Sequence, residues 1–211
     1  KHELDPNKVK FIILTHFHQD HYLGIANLLE LCINANFYTS SSLYCSEFDF
    51  LLNSFGQIEG ILNPFIEFFK IGEILENTNR KIYPIDSQTG TIYSSEGVNV
   101  IIESPSPNTK DYFKLRYNEM VKSLLSGNAT IPKKENFNLQ SVVVRVNIDN
   151  KDYVFGSDLE YSSNQTLGWN PVMENYASLG IKLSLLKVPH HGSVNGYNNS
   201  DYLNTMRADS L

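Results

Sequence analysis

Residues 10–21 read KFIILTHFHQDH, and this stretch does more than any other to decide the fold. Its first part, Lys10 to Leu14, is a short continuous apolar run, which predicts a buried strand. The chain then enters a cluster of histidines. In an extended segment, residues two positions apart point to the same side, so His16 and His18 can face one metal ion while Phe17 turns into the core.

Asp20 and His21 follow after a bend and are close enough in sequence to serve a second metal ion. Imidazole nitrogen and carboxylate oxygen suit Zn²⁺, and Mn²⁺ or Fe²⁺ are alternatives where oxygen ligands are numerous. The competing interpretation is a polar turn that is merely rich in histidine. Five of the six histidines lie in this cluster and at His190 and His191, with His2 elsewhere, and this clustering favours metal ligation.

Two later segments each place a candidate ligand at the end of a predicted strand. Phe155 to Glu160 carries Asp158 after a hairpin strand, and Val188 to Ser193 carries His190 and His191. An aspartate after a strand often closes a turn or caps a helix. Asp158 is therefore a candidate ligand only because the histidine clusters also occur in the chain. At least one of the two histidines is expected to bind metal, and the other can support it through a hydrogen bond.

Apolar periodicity predicts helices and strands that alternate without a strict βαβ order, which is typical of a layered α/β protein with mixed sheets. The segment Asp149 to Asp152 predicts a tight hairpin, and the polar stretch from Gly127 to Asn138 predicts a surface loop. The predicted helices are Leu23 to Cys32, Leu43 to Phe55, Phe65 to Leu75 and Tyr112 to Leu125. The predicted strands, besides Lys10 to Leu14, are Phe37 to Thr39, Lys81 to Ile85, Val98 to Ile102, Val142 to Ile148, Tyr153 to Phe155 and Leu183 to Val188.

Composition predicts one folded domain over residues 1–211. Hydrophobic residues make up 41% and charged residues 19%, and neither a linker nor an internal repeat divides the chain. The formal net charge of -6 argues against a protein that coats nucleic acid. It leaves a nuclease open, because bound divalent cations dominate the local charge at a metal site.

The sequence contains neither a long apolar run of roughly eighteen residues nor a signal-peptide pattern, so we expect no membrane segment and a cytoplasmic location. Cys32 and Cys45 are too few for a disulfide framework and are expected to be reduced. Because the chain begins with Lys1 instead of Met, we also expect it to be a fragment. The oligomeric state is left open.

These motifs, in this order, resemble the metallo-β-lactamase superfamily, whose pattern is a strand, HxHxDH, a helix, a later lone histidine, an aspartate and a final histidine near a glycine. The resemblance implies an αββα sandwich with mixed sheets and helices on the outer faces. It also implies two metal sites, most simply for Zn²⁺ with Mn²⁺ as an alternative. The implied ligands are His16 and His18 for the first metal, Asp20 and His21 for the second, Asp158 bridging both, and His191 as the terminal ligand with His190 as its substitute.

Within this superfamily, Gly156 to Glu160, Asn138-x-x-Ser141 and Leu185 to Ser193 look most like the hydrolase domain of ComEC-type DNA-uptake proteins and their soluble relatives. The resemblance implies a hydrolase in which a metal-bound hydroxide, oriented by Asp20 as the catalytic residue, attacks the substrate. The implied activity is that of a phosphodiesterase or nuclease on nucleic acid or nucleotides. The alternatives are a hydrolase of small esters, thioesters or lactams, and a catalytically impaired scaffold.

The sequence departs from the superfamily pattern in two places. No histidine occurs in residues 22–189, so the middle histidine of the pattern is missing and the first metal site is expected to be incomplete. Glu103, Ser104 or water could complete it, although the segment Ile101 to Pro107 is more simply explained as a rigid loop. Because Lys10 to Leu14 already precedes the histidine motif, some N-terminal strands of the fold are expected to be lacking.

Overall fold

The computed structural model describes residues 4–55, 66–127 and 136–197. Helices alternate with mixed sheets in these ranges, so the predicted α/β class is confirmed. The chain divides into two compact units, which are described separately below. The prediction of a single domain concerns both units together and stays a prediction. The first unit comprises Lys1–Pro84 and Phe113–Glu135, and the second comprises Ile85–Tyr112 and Asn136–Leu211.

A three-stranded sheet in the order β1-β2-β3 forms the framework of the first unit. β1 and β2 run parallel, with Leu14 opposite Thr39. The apolar run before the histidine motif therefore forms a strand, as predicted, and the histidine cluster follows the strand directly. The strands are β1 Phe11–Leu14, β2 Asn36–Ser40 and β3 Ile82–Ile85, the last residue of which falls in the second unit.

The first unit contains four helices, of which the first was not predicted and the other three lie close to predicted positions. Gly24 lies between the first two, and its φ of 90° belongs to the left-handed region that favours glycine. Glu67 caps the second of them, because its Oε1 accepts hydrogen bonds from the backbone N–H of Gly24 at 3.0 Å and of Ala26 at 2.9 Å. The helices are α1 Gln19–Tyr22, α2 Ile25–Leu31, α3 Ser46–Phe55 and α4 Ile66–Asn77.

Phe17 turns into the core of the first unit, as the alternation around it predicts. Its side chain is buried, its ring stacks on Tyr22 with centroids 5.6 Å apart, and it also contacts Phe48 and Phe68. Such aromatic clusters bury large apolar areas and restrict the rings to a few arrangements. The packing of Phe17 thus fixes the backbone between His16 and His18.

The second unit contains a five-stranded sheet in the order β4-β5-β6-β7-β8. β7 and β8 are parallel, and the other neighbours are antiparallel. Asp149 and Asn150 join β6 to β7 with φ values of 48° and 65°, which confirms the predicted tight hairpin. The strands are β4 Thr91–Ser95, β5 Val98–Ser104, β6 Val143–Ile148, β7 Lys151–Phe155 and β8 Leu183–Lys187.

Three further helices complete the described elements: α5 Pro107–Leu125, α6 Trp169–Leu179 and α7 Val194–Tyr197. α5 begins five residues before the predicted start at Tyr112, because Pro107 occupies the first helical position, where proline is well tolerated. The sequence did not predict α6 or β4. Residues 128–135 of the predicted surface loop lie outside the described residues, and its end is part of a 3-10 helix, Phe137–Gln140.

Trp169, at the start of α6, is the centre of the core of the second unit. It is fully buried, and its Nε1 donates a hydrogen bond to the backbone oxygen of Leu159 at 2.8 Å. This bond satisfies the one polar group of the indole, which would otherwise be costly to bury. The buried residues around it are Val143, Val154, Leu159, Val172, Tyr176 and Leu183.

β5 contains the predicted strand Val98 to Ile102 and continues to Ser104, so the predicted rigid loop is wrong for Glu103 and Ser104. Glu103 in this strand is buried, and its carboxylate accepts a hydrogen bond from Nε of Arg145 at 2.5 Å. Arg145 also contacts Asp152 through NH1 at 3.0 Å. Glu103, one of the candidates to replace the middle histidine, is thus engaged in an ion-pair network within the sheet.

Cys32 is buried and Cys45 half-buried, and neither forms a disulfide. None of the helices in the described ranges is both long and apolar enough to cross a membrane.

Candidate metal centre

The predicted ligands of the first unit lie together immediately after β1. His16 is fully buried, and its Nε2 is 3.0 Å from Nδ1 of His18. The ring of His21 is close to that of His16, with centroids 4.2 Å apart. The backbone at His18 is extended, with φ of -129° and ψ of 149°, so the alternation expected from the sequence brings the first two imidazoles together, with their ring planes nearly perpendicular.

Thr15 holds two of these rings and was not predicted. Its hydroxyl lies 3.1 Å from Nδ1 of His16 and 3.4 Å from Nδ1 of His21. A hydrogen bond to one ring nitrogen fixes both the tautomer and the orientation of an imidazole, which leaves the opposite nitrogen to act as a ligand. A threonine directly before the first histidine was the available sequence signal.

Asp20 and His21 lie in α1, the short helix that follows the extended segment. Oδ2 of Asp20 is 3.6 Å from Nε2 of His21. The Asp20 side chain is 63% exposed and therefore accessible to water and substrate. The first unit thus brings all four of its predicted site residues into one cluster.

The second unit brings Asp158 and His191 together. Asp158 follows β7 and is buried, whereas the side chain of His191 is 73% exposed, and Oδ2 of the first is 3.7 Å from Nε2 of the second. The two loops are joined by a backbone hydrogen bond of 3.0 Å from the N–H of His190 to the oxygen of Ser157. Residues distant in sequence are in this way held at one place in the unit.

His190, the neighbour of His191, contacts a network of polar side chains. Its Nδ1 lies 2.5 Å from Oε1 of Glu160 and 2.7 Å from Oγ of Ser193, and its Nε2 lies 3.3 Å from Nδ2 of Asn138. Glu160 is buried and also accepts hydrogen bonds from Asn136 at 2.6 Å and Asn138 at 2.9 Å. Both ring nitrogens of His190 therefore have protein partners within the second unit.

Left-handed backbone conformations accompany these loops. Ser157, His190 and His191 have φ values of 48°, 45° and 51°, although none is glycine. A non-glycine residue in this region costs about 1–2 kcal/mol, and such residues concentrate at functional sites. Gly156 allows the backbone to lie close to Trp169, because a Cβ at position 156 would be 2.8 Å from the indole ring.

The donor atoms in each unit fit a metal ion such as zinc. Two nitrogen ligands at the usual 2.0–2.1 Å from a tetrahedral zinc ion lie about 3.3 Å apart. The separation of 3.0 Å between His16 and His18 is close to this value, and the 3.7 Å between Asp158 and His191 is compatible with carboxylate and imidazole on one ion. Each unit therefore carries donor atoms at a separation that suits a metal ion.

Sequence reasoning missed the residues that support the ligands. Thr15, Asn136 and Glu160 bear no ligand pattern of their own, and their role becomes visible only through the contacts described above. Glu160 and Asn138 did lie in segments that the superfamily resemblance singled out. The ligand assignments themselves stay predictions.

Comparison with known families gives one match. Residues 1–84 match the family described as the metallo-beta-lactamase superfamily, which covers β1, the histidine motif and the helices up to β3. Among curated proteins, none matches the chain. The superfamily consists generally of metal-dependent hydrolases. The chain has an α/β architecture consistent with the metallo-β-lactamase fold, and its first 84 residues are similar to that superfamily.

Proposed function

We propose that the protein is a metal-dependent hydrolase in which the two ligand sets share a pair of divalent cations. His16, His18 and Asp158 would hold the first cation, and Asp20, His21, Asp158 and His191 the second. The observation that carries the proposal is the pair of imidazole nitrogens 3.0 Å apart at His16 and His18, inside the segment that matches the superfamily. Zinc is the preferred ion because three of the donors in the first unit are imidazoles, with manganese as the alternative.

His191 is proposed as the terminal ligand and His190 as a positioning residue. The contact between His191 and Asp158 supports the first assignment. The contacts of both His190 nitrogens with Glu160, Ser193 and Asn138 support the second. Metal-binding sites commonly depend on such outer hydrogen bonds to hold the ligand loop in place.

When bound, two divalent cations supply a water molecule of lowered pKa and stabilise negative charge on the oxygens of the substrate. The exposed carboxylate of Asp20 accepts a hydrogen bond from the attacking water and orients it. The Thr15 hydroxyl holds the imidazoles of His16 and His21, and Glu160 holds the loop that carries His191. Ser157 and Ser193 play structural parts, since the chemistry requires no side-chain nucleophile.

The proposed substrate is a phosphodiester in nucleic acid or a nucleotide. Paired cations suit the transfer of a phosphoryl group, because its charge develops on oxygens that both can contact. The ComEC-type resemblance supports this choice and rests on the sequence motifs alone. With a net charge of -6 on the chain, attraction of the phosphate would come from the cations.

Hydrolysis of bis(p-nitrophenyl) phosphate and of single-stranded DNA tests the proposal, together with elemental analysis of the purified protein. We expect about two metal ions per chain and an activity that chelation abolishes. His18→Ala and Asp158→Ala, one from each unit, should each lower activity at least a hundredfold. His2→Ala, which removes the histidine outside both clusters, is the matched control. Unchanged activity in both ligand variants would contradict the proposal.

A hydrolase of small esters, thioesters or lactams is the second candidate. The acidic net charge favours it, because a neutral substrate is not repelled by the chain. The same cations can polarise a carbonyl as readily as a phosphate. Nitrocefin, a lactone and a thioester assayed beside the phosphodiesters separate the two activities. The absence of bound metal, with folding unchanged by chelation, would favour the impaired scaffold.

A further inference from the structure

A cavity of about 270 Å³ lies in the first unit, between its sheet and helices α3 and α4. Its floor is deeply buried and its mouth is exposed. At the mouth, Tyr44 is 50% exposed and Ile82 is 37% exposed. Asp49 and Gly72 are also exposed there. The floor consists of buried residues from all the surrounding elements, namely Leu14, Phe37, Thr39, Leu43, Phe48 and Ile71.

Thr39 and Asp49 place polar groups in the mainly apolar wall of the cavity. Thr39 on the floor has a buried Oγ1 without a hydrogen-bond partner among the residues that the structure describes. Buried hydroxyls are normally paired, so this one is a feature to be explained. At the mouth, partial burial raises the pKa of the Asp49 carboxyl, because the charged form has lost part of its water. A hydrogen-bond donor at the mouth would replace that lost hydration.

Gly72 keeps the mouth of the cavity open. It lies in the interior of α4, where glycine stabilises a helix less than alanine does. A Cβ at this position meets no atom within 4 Å among the described residues, so no packing contact in that part of the chain requires glycine there. Gly72 lines the cavity at its mouth, so we expect a large side chain at this position to narrow the opening.

We propose that this cavity is a binding site for a small, mainly apolar molecule that carries a hydroxyl or amine at one end. The apolar body lies against the aromatic and aliphatic floor, and the polar end donates a hydrogen bond to Asp49. A carboxylate at that end is disfavoured, because it would lie beside the Asp49 carboxylate. None of the proposed metal ligands lines the cavity.

The volume limits the size of the ligand. A cavity of about 150 Å³ is sufficient for benzene, and drug-sized molecules occupy pockets of roughly 300 Å³ or more. A cavity of about 270 Å³ therefore suits one aromatic ring with a short chain. The matched probes are 2-phenylethanol, which carries a hydroxyl, and 3-phenylpropionate, which carries a carboxylate on a similar frame.

Titration of the isotope-labelled protein with each probe, followed by NMR, tests the proposal. We expect 2-phenylethanol to bind saturably with a Kd of about 1 mM, as is usual for a molecule of this size. Its ring protons should show nuclear Overhauser contacts to Phe37 and Ile71. The carboxylate probe should bind at least tenfold more weakly, and Asp49→Asn should reduce this difference.

Variants at Gly72 provide the matched comparison. Gly72→Phe should weaken the binding of 2-phenylethanol at least tenfold, whereas Gly72→Ala should leave it within twofold of the unchanged protein. Gly72→Leu replaces the first variant if circular dichroism shows that it does not fold. The proposal is overturned if 2-phenylethanol does not bind saturably, if the contacts to the floor are absent, or if the folded large-side-chain variant binds as well as the unchanged protein. Equal binding of the two probes would overturn the assignment of the polar end.

Discussion

The two sets of candidate ligands are positioned in different ways. In the first unit, His16 to His21 lie on one short segment, and they contact one another and the adjacent Thr15. In the second unit, Asp158 and His191 come from separate loops, which depend on a backbone hydrogen bond and on the contacts of Glu160. Local sequence places the first set, and tertiary structure places the second. Mutations away from the ligands should therefore affect the second set more strongly.

The largest effect is expected for Gly168→Ala in the second unit. Gly168 has φ of 65°, and a Cβ there would lie 2.1 Å from the backbone oxygen of Glu160. The backbone strain and the displacement of Glu160 should together lower the free energy of unfolding by about 3–4 kcal/mol. Denaturation in urea measures this loss.

Gly180→Ala is the matched control for this variant. Gly180 has a similar φ of 62°, but a Cβ there meets nothing within 4 Å. Only the left-handed conformation is then unfavourable, at a cost of about 1 kcal/mol. Equal losses in the two variants would show that the contact with Glu160 has no special role in the second unit.

Glu160→Ala should have the next largest effect, on the affinity for metal. It removes the acceptor for His190, Asn136 and Asn138, so the loop that carries His191 loses its support. Loss of such an outer contact typically weakens metal binding 10–100-fold, or about 1.4–2.8 kcal/mol. Competition with a chromophoric chelator measures the affinity. Glu30→Ala, which removes a negative charge from the exposed face of α2, should leave it within twofold.

The same contrast explains what the sequence could predict. The apolar run of β1 and the spacing of His16 and His18 are local patterns, and both were found. β4 was missed because Thr91–Ser95 is largely exposed and has few apolar residues. α6 was missed although its buried positions, Trp169, Val172 and Tyr176, recur at helical spacing, because Pro171 in its first turn is also a turn signal.

The choice between His190 and His191 depends on contacts that adjacent positions in a sequence cannot reveal. Both follow Pro189, both have left-handed backbone, and either could be aligned with the terminal histidine of the superfamily pattern. The distinction comes from Glu160 and Asn138, which reach His190 from segments far away in the chain. A residue's role in a network of this kind requires the tertiary structure.

Thr15→Val tests the local nature of the first set. The substitution keeps the shape of the side chain but removes the hydroxyl that contacts His16 and His21. Without this contact the rings are less well oriented, and the affinity for metal should fall about tenfold, or 1.4 kcal/mol. Thr15→Ser, which retains the hydroxyl, should recover most of the affinity in the same chelator competition. An unchanged affinity in Thr15→Val would mean that packing alone orients the histidines.

The smallest effect is expected for Glu67→Ala, which removes the cap of α2 next to the first ligand set. Two backbone N–H groups lose their acceptor, at a cost of about 1 kcal/mol in the free energy of unfolding, whereas Glu67→Gln keeps an acceptor oxygen and should cost less. Thermal denaturation of both variants measures the difference. If the first set is ordered by its own segment, its affinity for metal should not change when the cap is lost. A parallel loss of metal affinity in Glu67→Ala would show that the His16–His21 segment also depends on its tertiary support, and the two units would then differ in degree only.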